Sequence, residues 1–226
     1  YLPGTTSTVL DHKDLKADVQ QVDEFSGYEE LLISDETFAG SLSLNEQGIY
    51  SMKLHSHPKY TNDLRAFKSY FMFDDLVVCL GSGISSTDAQ HPTVTTLFQN
   101  AQMGGELNLK SVFSDAGGNL WQVKEGELKS SSGQQMSPNQ KTDVIEKGSF
   151  DKVWLNHGLA PNNASYEYAF KIAAKNKFFD YRVLQKDESV HALAYKNYKA
   201  FAISNHQSDL NSALIKSVSQ ACLLMT

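Results

Sequence analysis

The stretch Leu64-Arg-Ala-Phe-Lys-Ser-Tyr-Phe-Met-Phe-Asp-Asp-Leu-Val-Val-Cys-Leu-Gly-Ser-Gly-Ile84 holds two apolar runs of strand length, Tyr70 to Phe73 and Leu76 to Leu80. Only Asp74-Asp75 parts them, the kind of short polar break that closes a β-hairpin. Both runs are rich in aromatic and β-branched residues, and they are read as central strands buried on both faces. Gly81 and Gly83 are then expected to end the second strand in a turn where a side chain would be a burden. The rest of the chain reads as further strands laid beside this hairpin.

Before it, Ser41-Leu-Ser-Leu44 and Ile49-Tyr-Ser-Met-Lys-Leu54 alternate polar and apolar residues, as half-buried strands do. The turn between them is Asn45-Glu-Gln-Gly48, so this too is a hairpin, with Glu46 at its tip. Residues 1–24 read as an arm lying against the body. After the central hairpin, strands are expected at Pro92 to Phe98, Leu107 to Val112, Leu120 to Val123 and Val153 to His157. Others follow at Tyr166 to Ile172, Tyr181 to Leu184, Val190 to Tyr195 and Ala200 to Ile203. Ala173 to Phe179 is read as a connection with room for a helical turn. Glu125 to Ser149 is poor in apolar residues and rich in Ser, Gly, Gln and Lys, and is read as a long surface loop. Strand candidates with turn chemistry between them, no repeat and no linker define an all-β sandwich, a single domain over residues 1–226.

The 226 residues are 41% hydrophobic and 11% aromatic, which is enough for a real core. No run approaches the roughly 20 apolar residues of a membrane span. The formal net charge of −6 disfavours non-specific nucleic-acid binding. Of the two cysteines, Cys79 sits in an apolar strand as a small hydrophobe, and spacing alone leaves a bridge to Cys222 open. The abrupt Tyr1-Leu-Pro-Gly start and the strand-like Ala221 to Thr226 end suggest a piece of a longer polypeptide.

Charge is unevenly spread. Lys53, Lys59, Arg65 and Lys68, with His55 and His57, face only Asp63 in that part of the sequence. This basic strip suits an anionic ligand, or is simply a solvated face. His55-x-His57 has a spacing that metal sites use, but Pro58 suggests that the strand is ending and no clear carboxylate partner is nearby in sequence, so no metal site is assigned. No cofactor is assigned, and a divalent cation is left open. Asn163-Ala-Ser165 matches a glycosylation sequon, a pattern common by chance. Asn156 and His157 stand where a strand gives way to a loop, a usual place for ligand contacts, although on chemistry alone His157 reads as a structurally satisfied histidine. The residues alone contain no phosphate-cradling loop, Cys-x-x-Cys pair or nucleophile elbow.

Several stretches in order resemble polysaccharide lyase family 8, the bacterial chondroitin and hyaluronate lyases. They are Leu2-Pro-Gly-Thr-Thr6, Ser34-Asp-Glu-Thr-Phe-Ala-Gly40, Lys68-Ser-Tyr-Phe-Met-Phe-Asp-Asp75 and Val78-Cys-Leu-Gly-Ser-Gly-Ile84. Thr95-Thr-Leu-Phe-Gln99, Trp154 to His157 and Ala164-Ser-Tyr-Glu-Tyr168 continue the series. The resemblance implies a large antiparallel supersandwich, similar to the galactose-mutarotase-like fold, between an α/α toroid and a smaller β domain. It implies eliminative cleavage of a glycosaminoglycan by a secreted or periplasmic enzyme. The His, Tyr and Arg that do most of the chemistry in that family belong to the toroid, so the isolated 226-residue piece is expected to be inactive. The ABC-type enzymes add a glutamate from the β domain, and Glu46 is the matching position, with Asn45 one residue away. Lys53, His55, Arg65 and His157 are the expected substrate-binding residues. Two other readings stay open: a carbohydrate-binding or scaffold domain without catalytic residues, and a mutarotase-like epimerase.

Overall fold

The computed structural model describes residues 2–11, 14, 34–102, 107, 109–139, 142, 144–173, 176–204 and 221–225. Its strands are β1 (Thr6–Thr8), β2 (Ala39–Leu44), β3 (Gln47–His55), β4 (Arg65–Phe73), β5 (Leu76–Ser85), β6 (Pro92–Ala101), β7 (Val112–Ser114) and β8 (Leu120–Glu125). They continue as β9 (Glu127–Pro138), β10 (Ile145–Leu159), β11 (Ala164–Lys171), β12 (Arg182–Lys186), β13 (Val190–Tyr195), β14 (Tyr198–Ile203) and β15 (Ala221–Met225). A seven-stranded sheet in the order β2-β3-β4-β5-β11-β8-β7 lies between two four-stranded sheets, β1-β6-β10-β9 and β12-β13-β14-β15. The strand pairings are antiparallel.

The central hairpin explains the layering. β4 and β5 meet at a two-residue turn, with Phe73 opposite Leu76. Along β4, Phe67, Phe71 and Phe73 point into the core shared with β13 and β14, while Ala66 and Tyr70 point toward β6 and β10. On β5, Leu76, Val78 and Leu80 take the first side and Cys79 and Ile84 the second. A strand apolar on both faces demands a cover on each, and the two outer sheets supply it. Asp74 holds the turn at φ 52°, accepting from Gln47 Nε2 (3.2 Å), Tyr195 Oη (3.1 Å) and Lys196 Nζ (2.8 Å).

The structure departs from the sequence reading in four places. β5 does not end at Gly81 but runs to Ser85. Gly81 is required instead because the Tyr166 ring lies on it, and an added Cβ would sit 2.1 Å from Tyr166 Cε1. The expected loop from Glu125 to Ser149 holds β9 and the start of β10, paired from Ile145↔Pro138 to Asn156↔Glu127. Its distal residues are exposed on both faces, so backbone pairing alone makes the hairpin and no apolar period announces it. The short strand expected at Leu107 to Val112 is instead β7, starting at Val112, although residues 103–106 and 108 lie outside the described residues. Residues 176–180 form no helical turn. Cys79 and Cys222 are both free thiols. Readings of residues 15–33 also lie outside the described residues.

Candidate functional site

β2 and β3 are joined by two residues, with Leu44 opposite Gln47. Asn45 at φ 47° and Glu46 at φ 67° both take the left-handed conformation that a primed hairpin turn needs. Asn tolerates it, whereas glutamate does so at a cost where glycine is the usual choice. Glu46 is exposed, and among the described residues its carboxylate has no partner. It borders a shallow depression of about 360 Å³ lined by Ser41, Ser43, Gly48, Tyr50 and Met72, with no cation on its walls.

Lys53, His55 and Arg65 gather at the opposite end of β3. That strand has nine residues, which separates Glu46 from His55 by about 30 Å at roughly 3.3 Å per residue. Lys53 lies opposite Phe67 and His55 opposite Arg65, so all three share one face of the sheet. Lys53 and Arg65 line an open groove of about 230 Å³ together with Glu36, Asn162, Asn163 and Glu188. They come from three loops far apart in sequence, and nothing in the local pattern points to a shared groove.

His55 does not face the groove as a free ring. Nδ1 meets Asp35 Oδ1 and Nε2 meets Asp63 Oδ1 at 2.7 Å, so carboxylates hold both nitrogens. The hydrogen bond to Asp35, aided by Asp63, raises the His55 pKa above its ordinary value. Arg65 Nε donates to the same Asp63 oxygen at 3.2 Å. The basic strip expected from the sequence is therefore largely neutralised, by Asp35 from 20 residues upstream as well as by Asp63. Two further members leave it. His57 accepts from the Lys59 amide (3.2 Å) at the start of a short 3-10 turn, Pro58–Tyr60. Lys68 points to the other face and is only 5% exposed.

His157 is half-buried between the layers, as a structurally satisfied histidine would be. Its Nε2 pairs with Thr95 Oγ1 at 2.8 Å, and its ring stacks on Tyr166 with centroids 6.0 Å apart. Burial, with Lys68 nearby, pushes its pKa down to about 4, so it is neutral at pH 7. The structure thus brings Lys53, His55 and Arg65 together and sets both Glu46 and His157 apart from them.

Three antiparallel layers with a long central sheet define the class: a large β supersandwich. Residues 1–127 match the family described as polysaccharide lyase family 8, super-sandwich domain. The chain belongs to that family. It is 38% identical over 214 residues to the chondroitin sulfate ABC exolyase of Proteus vulgaris, covering 86% of this chain and 22% of that protein. It is 35% identical over 243 residues to the chondroitin sulfate ABC exolyase of Bacteroides thetaiotaomicron, covering 99% of this chain and 24% of that protein. The chain therefore spans about a quarter of the length of these relatives. Among solved structures, the chondroitin AC lyase of Streptomyces coelicolor A3 superposes with a TM-score of 0.71 at 23% identity, over 92% of this chain and 29% of that one. A Paenibacillus xanthan lyase superposes at 0.67 and 22% identity, over 91% of this chain and 22% of that one. These two likenesses concern the fold.

Proposed function

We propose that this chain is the super-sandwich domain of a secreted or periplasmic lyase that cleaves a chondroitin- or dermatan-type glycosaminoglycan, or hyaluronan, by β-elimination. The similarity to two chondroitin sulfate ABC exolyases along almost the whole chain carries the reading. In such an elimination the uronate carboxylate is neutralised, so that the proton on the carbon bearing it becomes acidic. A base removes that proton and an acid protonates the departing glycosidic oxygen. The α/α toroid of the same polypeptide supplies most of these groups, and the isolated domain is inactive. Glu46 is this domain's contribution. Exposed on a strained turn and unpaired among the described residues, its carboxylate orients or raises the pKa of a group from the rest of the enzyme. It would repel a polyanionic substrate rather than bind it. Lys53 and Arg65 offer a cationic lip for the chain beyond the reacting unit.

A scaffold reading is favoured by one observation: the groove's cations stand among carboxylates, Glu36, Asp63 and Glu188. Absorbance of the unsaturated uronate product on chondroitin sulfate, from the full-length enzyme with and without Glu46→Gln, decides between them. A turnover loss of tenfold or more (about 1.4 kcal/mol) with KM little changed supports the Glu46 role. An unchanged rate makes the domain a scaffold, and turnover by the isolated domain would overturn the composite site.

A further inference from the structure

Lys68 is a charge buried inside the sandwich. It stands on β4 in the middle of the central sheet and faces the layer beneath β1 and β6. Its ammonium donates to the Gly4 carbonyl, and among the described residues no carboxylate pairs with it. Tyr70 Oη donates to the same carbonyl at 3.3 Å. Around it the polar groups are incompletely matched, since the hydroxyl of Tyr166 is buried without a hydrogen-bond partner among the described residues. An ammonium has three donors, and burying one with a single hydrogen-bond acceptor and the Tyr70 ring 5.8 Å away leaves it poorly compensated.

Among the described residues, the segment Leu2–Val9 lies over this cation through the Gly4 carbonyl. It is pinned on its far side by Gly4 N to Thr96 O (2.7 Å), Thr96 N to Thr5 O (2.9 Å) and Val9 N to Pro92 O (2.9 Å). Side chains add Thr6 Oγ1 with Thr95 Oγ1 and Asn62 Nδ2 to Thr8 Oγ1, both 2.8 Å. Gly4 has φ +80°, and a Cβ there would meet Tyr70 Oη at 3.0 Å, so the peptide is pressed against the layer. β1 itself has three residues and forms the edge of its sheet.

We infer that residues 2–9 form a releasable strap, loaded from beneath by the buried Lys68 ammonium, whose opening hydrates that charge. The linkage has a definite sign. Burial pushes the Lys68 pKa down to about 8, whereas an open strap returns it toward the ordinary lysine value of 10.5. The open state therefore binds the extra proton between these limits. Opening is easiest at and below pH 8 and becomes harder as pH rises above it. The other groups facing Lys68 do not change charge in that window. Burial pushes Cys79 on β5 up to about 12 and His157 on β10 down to about 4. Tyr70 on β4 and Tyr166 and Tyr168 on β11 are all raised by burial.

The strap stands on this chain's own geometry and holds whether or not the protein is a lyase. Amide exchange of Gly4 and Val9 in the full-length protein tests it, with a β5 amide such as Leu80 as the control. After division by the intrinsic exchange rate, opening of the strap should fall by up to about tenfold per pH unit between about pH 8 and pH 10. The β5 amide should not follow. Lys68→Met, which removes the charge, should open at least about tenfold less at pH 7 and lose the pH dependence. A wild-type strap with no pH linkage overturns the inference without recourse to any variant. So does faster exchange in Lys68→Met, because the lysine would then be a latch and not a load.

Discussion

Each outer sheet aims one histidine into the core, and the central sheet receives the two differently. His191 on β13 is fully buried, stacked on Phe67 with centroids 4.2 Å apart. Its Nδ1 meets Ser69 Oγ and its Nε2 meets Ser82 Oγ, both at 2.8 Å. Ser82 gives its only hydroxyl proton to the Asp187 carbonyl at 2.7 Å, so its oxygen must accept from His191 Nε2–H. The tautomer follows: Nδ1 is bare and accepts from Ser69. Every polar atom of that bridge is matched. On the opposite face half-buried His157 pairs through Nε2, beside an ammonium held by one carbonyl and the Tyr70 ring and a tyrosine hydroxyl that is buried without a hydrogen-bond partner among the described residues. Ser69 and Lys68 are neighbours on β4 and serve the two faces in turn. A polar group buried with its partners complete fixes a layer, whereas one buried without them loads it.

Acid should expose what the two faces share. Both histidines are held neutral, His191 near 3 and His157 near 4, against 6.5 when unfolded. The unfolded chain therefore binds more protons below pH 6.5, and stability falls as pH drops through that value. Between pH 7 and 5 each histidine should cost about 2 kcal/mol, about 4 together. Urea unfolding followed by tryptophan fluorescence at the two pH values measures it. His55 works against this trend, because its raised pKa adds stability that is full below 6.5 and lost as pH rises. A difference below about 1 kcal/mol would mean that the histidines are not sealed in the folded state.

Replacing one histidine separates the faces. His191→Leu should lower stability by about 3 kcal/mol, from the lost stack and a Ser69 hydroxyl stranded in the core. It should also remove about half of the acid sensitivity. A loss confined to neutral pH, with the acid slope intact, would show that another group titrates. On the other face the sign reverses. Lys68→Met should raise stability by about 1.5 kcal/mol in the same urea experiment, since methionine fills the space without a charge to hydrate. Destabilisation there would erase the contrast between a matched and an unmatched polar guest.

How much of this was visible in the sequence differs by region. The β4–β5 pair could be read because its residues are apolar on both sides, which has one structural solution. The β2–β3 hairpin could be read from its alternation, and with it the exposed tip at Glu46. The β9–β10 hairpin could not, because Ser130 to Gln135 carry no apolar face and backbone pairing leaves no trace in composition. The strip from Lys53 to Lys68 was drawn by nearness along the chain. Strand parity already separates Arg65 from Lys68, three residues on and therefore on the opposite face. The acidic partners were invisible for a different reason: Asp35 lies 20 residues before His55, and Glu188 reaches the groove from the far side of the β12–β13 turn.

The β2–β3 turn gives the smallest effect and the sharpest division between folding and use. Both of its residues have positive φ, and the second position of such a turn favours glycine over any residue with a Cβ. Glu46→Gly should therefore raise stability by about 0.7 kcal/mol, since among the described residues the exposed carboxylate has no partner to lose. If Glu46 is retained for the composite lyase site, the same variant in the full-length enzyme should lose turnover while gaining stability. Two measurements on one protein, urea unfolding and product absorbance, read both sides. Gain in stability with full turnover would mean that the strained glutamate has no role in the reaction. Loss of both would mean that the turn is not strained and that Glu46 supports the fold, whatever its part in catalysis.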